Sequence, residues 1–212
     1  MERRRWLPLL ALVLCGALLW PRRHALTAEA IAARSPEQTA LAAAFLLGLY
    51  VLKGLSMVLP LSVLEAAGGL LFPFPGALAV NLAGVALAQA VPYLLGRREQ
   101  EGLTALTARY PRLAALAHPA VAGKPGRAVF LLRLGGASPG DLVSLYLGAA
   151  GVPWTAYFPA GLLGSLPRVA AATVLGAALW DIGGRRFWLS LAAGWGLSAL
   201  SLLLWRVWRK RA

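Results

Sequence analysis

Two charged residues and a helix-breaking run lie inside one apolar stretch, residues 130–151. Arg133 and Asp141 flank the run Gly-Gly-Ala-Ser-Pro-Gly, in which Pro139 removes a backbone donor and Gly140 loosens the chain. Lipid cannot satisfy free peptide groups or bare charges, so a membrane segment of this kind is expected to line a space enclosed by protein. The stretch therefore predicts a hairpin within the membrane at the functional centre of the chain.

The composition indicates a polytopic membrane protein. Hydrophobic residues make up 59% of the 212 residues, charged residues make up 14%, and the mean hydropathy is +0.67. Soluble domains carry about 25% charged residues. The net charge of +13 comes from basic residues that cluster at the ends of apolar segments, a pattern that orients spans and attracts anionic lipids. We therefore expect membrane lipids, anionic ones above all, as partners and no nucleic acid.

The apolar segments predict an all-α protein with four or five full spans. Residues 6–20 are short for a span, so a tight span, an interfacial helix and a signal-peptide core all remain open. If they do not span, the basic segments and the C-terminus all lie on the cytoplasmic side of the cell (inner) membrane, which favours four spans. Those four are expected at residues 39–59, 77–95, 154–179 (interrupted at Pro167-Arg168) and 187–205.

A second interrupted segment, residues 60–76, shares the features of the first. It begins at Pro60, carries Glu65, has Gly68 and Gly69 at its centre, and is too short to span. We predict that both segments are re-entrant hairpins, with breaks at Pro60, Gly68, Gly69, Pro139 and Gly140.

The two hairpin regions and the spans that follow them align as an internal repeat. A unit of one hairpin and one span crosses the membrane once, so the second copy would be inverted, as in many transporters. Chance matches among abundant residues are the alternative. The aligned pairs are Pro60 with Pro139, Gly69 with Gly148, Pro73 with Pro153, Phe74 with Trp154, Gly84 with Gly164, and Gly96 with Gly176.

Three regions follow from these segments. Residues 1–38 form an N-terminal apolar segment and a surface linker, in which residues 25–38 are expected to form a surface helix. Residues 39–180 form the membrane domain, with re-entrant hairpins near 60–76 and 128–151. Residues 181–212 form a C-terminal transmembrane helix and a basic tail.

The charges within the apolar segments are the candidate site. We predict that Arg133, aided by Arg168, binds a lipid phosphate, because a guanidinium can pair with phosphate in a bidentate way. Glu65 or Asp141 would compete for the arginine when the site is empty.

Other interpretations stay open for each of these charges. Arg133 can instead pair with Asp141 and close its hairpin, or extend to the head groups. Glu65 is expected to pair with an arginine of the other hairpin, Arg168 has a helix-end role as its alternative, and Lys53 is expected to extend to the head groups.

Enzymatic chemistry has little support in the sequence. The two histidines, His24 and His118, lie outside the apolar spans, so a base for intramembrane hydrolysis is missing. Neither a His-Glu-x-x-His zinc motif nor a phosphate-binding glycine loop occurs. We expect a protein that is not an enzyme and has no metal site and no cofactor.

The ordered set of these residues resembles the DedA superfamily, in its VTT-domain (SNARE-associated Golgi protein-like) branch. The resemblance covers residues 39–178 and implies two hairpins that face each other from opposite sides of the membrane. The residues that carry it are Leu59-Pro60, the run 68–72, Arg133, Pro139, Asp141, Leu142, Gly148, and the runs 154–157 and 161–168.

The resemblance also implies a function. It implies movement of lipids between leaflets, either scrambling of phospholipids or transport of a polyprenyl-phosphate carrier lipid, in support of membrane homeostasis. The alternative is a membrane assembly or homeostasis factor that does not transport and whose hairpins bind partner helices. A homo-oligomer stays open as a candidate assembly.

Overall fold

Helices make up all the regular structure in the part of the chain that the computed structural model describes. That part comprises residues 27–56, 59–98, 123–135 and 140–178, together with single residues at 108, 111, 185, 188, 189, 192 and 196. The predicted segment 6–20 lies outside it, and so does all of 187–205 except those single residues. In chain order the helices are α1 Ala28–Ala33, α2 Thr39–Ser56, α3 Leu61–Leu71, α4 Phe74–Arg98, α5 Pro125–Gly135, α6 Gly140–Ala149 and α7 Trp154–Ala177.

Helices α2, α4 and α7 are long and apolar enough to cross a membrane. They have 18, 25 and 24 residues, where a bilayer requires about 20. These helices lie where the spans at 39–59, 77–95 and 154–179 are predicted. The interruption predicted at Pro167 is wrong, because α7 continues through Pro159 and Pro167. A proline within a helix frees only a few backbone groups, and packing against neighbouring helices lets a membrane helix continue.

The two helices α3 and α6 are too short to cross. They have 11 and 10 residues, which at 1.5 Å per residue is about half of a 30 Å hydrocarbon core. Helix α2 ends at Ser56 and Pro60 caps the start of α3, so the break predicted at Pro60 is confirmed. Helix α5 ends at Gly135, and a separate helix, α6, begins at Gly140. Pro139 itself lies outside the described residues.

The break predicted at Gly68 and Gly69 is wrong. Helix α3 is continuous through both glycines and ends at Leu71. The chain turns instead at Phe72, which has an extended backbone with φ −129° and ψ 151° and precedes Pro73. Glycine permits a break without forcing one, whereas proline drives the residue before it out of the helical region.

Each short helix packs against the long helix of the other aligned unit. Helices α3 and α4 belong to the first unit and helices α6 and α7 to the second. Helix α3 packs against α7 and helix α6 packs against α4, while α4 and α7 also contact each other. The helix that precedes each unit packs against the long helix of that same unit, because α2 packs against α4 and α5 packs against α7. The helix contacts of the first unit therefore match those of the second unit, helix for helix.

Aligned glycines lie at equivalent helix contacts. A Cβ atom at Gly69 would overlap the carbonyl oxygen of Thr173 on α7, and one at Gly148 would overlap that of Tyr93 on α4. The partner helices contribute a second aligned pair, because Gly176 lies against the backbone of α3 and Gly96 against that of α6. Without side chains at these positions the helix backbones approach closely, as at other membrane helix interfaces.

Helix α1 covers one side of the first unit. Thr27 caps its N-terminus, and the buried residues Ala28 and Ile31 pack in one cluster with Leu64 and Ala67 of α3. Glu29, Arg34 and Glu37 are exposed, as expected for a surface helix. A second cluster joins α4, α5, α6 and α7 around Tyr93 and Tyr157, whose rings stack at 4.3 Å.

We predict that Gly148→Ala lowers the melting temperature of the purified protein. The added methyl group would press α6 away from α4, and overpacking of this kind costs about 1–3 kcal/mol. Gly48→Ala is the matched control, because nothing lies within 4 Å of the Cβ position in the middle of α2. Alanine is the better helix former, so this control should keep or slightly raise the melting temperature. Equal melting temperatures for both variants would contradict the close α4–α6 contact.

Candidate functional site

Among the described residues, five charged side chains lie in the apolar helices away from their basic ends, one on each of five helices. They are Lys53 on α2, Glu65 on α3, Arg133 on α5, Asp141 on α6 and Arg168 on α7. Charges inside an apolar helix assembly are costly unless they are paired or hydrogen-bonded. Their partners therefore show what each side chain does.

Glu65 forms an ion pair with Arg168. The Oε2 atom of Glu65 lies 2.7 Å from Nη1 of Arg168, and the glutamate side chain is 0% exposed while the arginine side chain is 33% exposed. The close contact of α3 with α7 at Gly69 brings the two side chains together. The prediction that Glu65 pairs with an arginine of the other hairpin is wrong. Its partner, Arg168, lies on α7, the long helix of the second unit.

A neutral network holds α3 at the level of this ion pair. The Nδ2 group of Asn81 donates to the carbonyl oxygen of Glu65 and to Oγ1 of Thr173, both at 2.8 Å. Its Oδ1 atom accepts a hydrogen bond from Tyr50 at 3.0 Å. A Cβ atom at Gly68 would overlap the Asn81 side chain, so this glycine makes room for the network. The network joins α2, α3, α4 and α7.

Lys53 forms an ion pair with Asp141 on the first turn of α6. The two side chains are 7% and 15% exposed. The prediction that Lys53 extends to the head groups is therefore wrong, because its face of α2 points into the protein towards α6. The hypothesis of an Arg133–Asp141 pair is also wrong in this structure, since the aspartate accepts from the lysine and lies where the positive end of the α6 dipole favours a carboxylate.

Arg133 is bound by uncharged groups. Its guanidinium donates to the carbonyl oxygen of Gly140 at 3.1 Å, to Oγ of Ser144, and to the hydroxyl of Tyr157 at 2.9 Å. Its Nε group is buried and donates to no atom of the described residues. Within that part of the chain, Arg133 has no carboxylate partner.

The two arginines border the same helix. Arg133 packs against α7 at Gly164, where a Cβ atom would lie 2.9 Å from that of Arg133. Arg168 follows one turn later, about 5.4 Å along the helix. The guanidinium of Arg133 reaches Tyr157 on α7, eleven residues before Arg168, and Glu65 neutralises Arg168.

Several polar residues of the site escape the sequence analysis. Asn81 and Gln89 lie on α4 among apolar residues, and Ser144 and Tyr157 complete the binding of Arg133. A spacing of eight residues places Asn81 and Gln89 on one helix face, which is a signal that sequence reasoning could use. Ser144 falls opposite Glu65 when the two units are aligned at Pro60 and Pro139, which is a second signal of this kind. Among the described residues, no three His, Cys, Asp or Glu side chains come together as metal ligands.

We predict that Arg168→Gln destabilises the protein by about 3–5 kcal/mol, because it leaves the buried Glu65 carboxylate without its cation. Thermal unfolding in detergent measures the loss. The double variant Glu65→Gln/Arg168→Gln removes both charges and should recover most of the stability, since two neutral amides carry no unpaired charge. Arg127→Gln, at an exposed position on α5, is the control and should unfold like the native protein. If the double variant is as unstable as Arg168→Gln, the ion pair does not explain the loss.

Comparison with known protein families agrees with this architecture. A family model described as the VTT domain matches residues 59–178, which is more than half of the 212 residues. No curated protein matches the chain. No solved structure matches it either. The matched region contains α3, α4, α5, α6 and α7, and with them both ion-paired carboxylates and both arginines of the site. The chain is a membrane protein that belongs to the VTT-domain branch of the DedA superfamily.

Proposed function

We propose that this protein moves lipids between the two leaflets of the membrane by binding their phosphate groups at Arg133. The observation that carries the proposal is the bonding of this arginine. Its guanidinium is partly buried, contacts neutral acceptors only, and keeps one N–H group without an acceptor among the described residues. A guanidinium in this condition carries a charge and an unused donor that a bound anion would satisfy.

The charges of the site favour an anionic ligand. Lys53, Arg133 and Arg168 supply three cations, whereas Glu65 and Asp141 supply two carboxylates. The described helices therefore leave one positive charge without a counter-ion in apolar surroundings. A phosphate bound at Arg133 would balance this positive charge. The free energy that an unpaired charge costs in the membrane would then favour binding of the lipid.

The arrangement of the helices supports the proposed path. In this proposal α3 and α6 belong to re-entrant hairpins that enter from opposite sides, and the two units form an inverted repeat. Their lengths of about half a bilayer and their exchange between units support this arrangement. The protein then lies in the cell (inner) membrane with a cytoplasmic C-terminus, and phosphate would meet α6 near the glycine break.

The lipid class follows from the shared phosphate. Phospholipids and polyprenyl phosphates both present an anionic phosphate to a guanidinium, so both are candidate substrates. The proposal needs no cofactor and no chemical step, because the ligand leaves unchanged. A non-transporting assembly factor is the alternative, and it would use the same helices to bind partner proteins.

We predict that Arg133→Gln slows lipid movement about tenfold or more in liposomes that contain the purified protein. Loss of a hydrogen bond to a charged group costs about 1.5–3 kcal/mol, and 1.4 kcal/mol corresponds to tenfold. The assay follows labelled lipids that become accessible to a membrane-impermeant quencher. Separate liposomes carry a labelled phosphatidylglycerol or a labelled polyprenyl phosphate, so the substrate classes are distinguished.

Arg127→Gln is the matched control, because this arginine lies on the same helix and is exposed. It should move lipid at the native rate. If neither labelled lipid moves with native protein, the assembly-factor alternative gains. If Arg133→Gln moves lipid at the native rate, Arg133 is not the phosphate ligand.

A further inference from the structure

Lys53 and Arg133 occupy equivalent positions in the two units. Gly84 and Gly164 are aligned in the repeat, and a Cβ atom at each would overlap the helix that precedes its unit. The contact at Gly84 is the ring of Tyr50, three residues before Lys53. At Gly164 the contacts are Phe130 and Arg133, and Phe130 lies three residues before Arg133. The two cations therefore lie at similar positions on the helices that precede the two units.

The two cations nevertheless bind different partners. Arg133 binds the short helix that follows it, through Gly140 and Ser144. Lys53 instead binds Asp141 on the short helix of the other unit. Because Pro60 and Pro139 are aligned, the counterpart of Ser144, five residues beyond Pro139, is Glu65. If Lys53 bound its own short helix as Arg133 does, its partner would therefore be Glu65.

Glu65 is placed to accept a second partner. Its Oε1 atom is fully buried and accepts no hydrogen bond within the described residues. Tyr50, three residues before Lys53, is linked to the backbone carbonyl of Glu65 through the side chain of Asn81. The Glu65 carboxylate therefore has an unused acceptor atom, and the comparison of Lys53 with Arg133 predicts Lys53 as its partner.

We propose that Lys53 exchanges Asp141 for Glu65 during lipid movement and thereby releases Arg168 as a second phosphate ligand. This inference rests on the proposed function. Equivalent units of an inverted repeat can exchange their conformations, and alternating access arises in this way in other transporters. In the second state Lys53 binds its own short helix, as Arg133 does in this structure.

The exchange moves the unpaired positive charge across the site. In this structure Arg133 is without a carboxylate, and Arg168 is neutralised by Glu65. When Lys53 takes Glu65, Arg168 loses its counter-ion, and its guanidinium is already one third exposed. The released carboxylate of Asp141 follows the residue whose carbonyl Arg133 binds, and in the second state it would neutralise Arg133. A lipid phosphate would follow the free charge from Arg133 towards Arg168, which lies on the same helix, α7, as the Tyr157 hydroxyl that Arg133 binds.

The exchange of partners is testable without any lipid assay. Melting temperatures in detergent give the coupling between Lys53→Gln and Glu65→Gln, first in the native protein and then with Asp141→Asn. We expect little coupling in the native protein, where Lys53 binds Asp141. With Asp141→Asn the lysine turns to Glu65, and a coupling of about 2 °C or more should appear. Equal coupling in the two backgrounds overturns the exchange.

The release of Arg168 is tested by lipid movement in liposomes that contain labelled phosphatidylglycerol. Glu65→Gln and Glu65→Gln/Arg168→Gln both lack the carboxylate, so they differ only in the arginine. If Arg168 binds phosphate, the double variant should be about tenfold slower than Glu65→Gln. Equal rates mean that Arg168 serves only to neutralise Glu65, which overturns the proposal.

Native protein that moves no labelled lipid refutes the proposed function and, with it, the role of Arg168. The melting-temperature cycle would still report whether Lys53 exchanges its partners. The two failures are therefore distinguishable.

Discussion

The carboxylate of Glu65 is packed among apolar helices with no exposed surface, and Arg168 offsets its charge. The pair exists because α3 and α7 approach closely at glycines that leave no room for a Cβ atom. The close packing of α3 on α7 and the pairing of Glu65 with Arg168 therefore depend on each other. Loosening the glycine contact would separate the ions, and losing an ion would leave an uncompensated charge in the contact.

The same constraint explains the uneven charge of the site. Lys53 and Asp141 form a second pair between α2 and α6, so every carboxylate of the site has a cation. Arg133 is then left to neutral acceptors, which can orient a guanidinium but cannot neutralise it. A site with one unpaired cation is suited to a phosphate, and the proposed change of partners would move the unpaired charge from Arg133 to Arg168.

Features that depend on local chemistry are predictable from the sequence. The three described spans follow from the length of apolar runs, and the breaks at Pro60 and before Gly140 follow from proline and glycine. Local chemistry also misled, since α3 runs through Gly68 and Gly69 and α7 runs through Pro167. In both cases contacts with other helices decide. Gly68 is small because Asn81 packs on it, and α7 is held by α3 and α5.

By itself the sequence determined that this is a membrane protein, which family it belongs to, and which charged residues lie in its apolar segments. Hydropathy, helix breakers and family motifs are written along the chain and need no folded structure to be recognised. Only the tertiary structure decided which charges pair. Lys53 meets Asp141 across 88 residues and Glu65 meets Arg168 across 103. Such pairs depend on where helices cross, and the crossings depend on packing between units that no local pattern encodes.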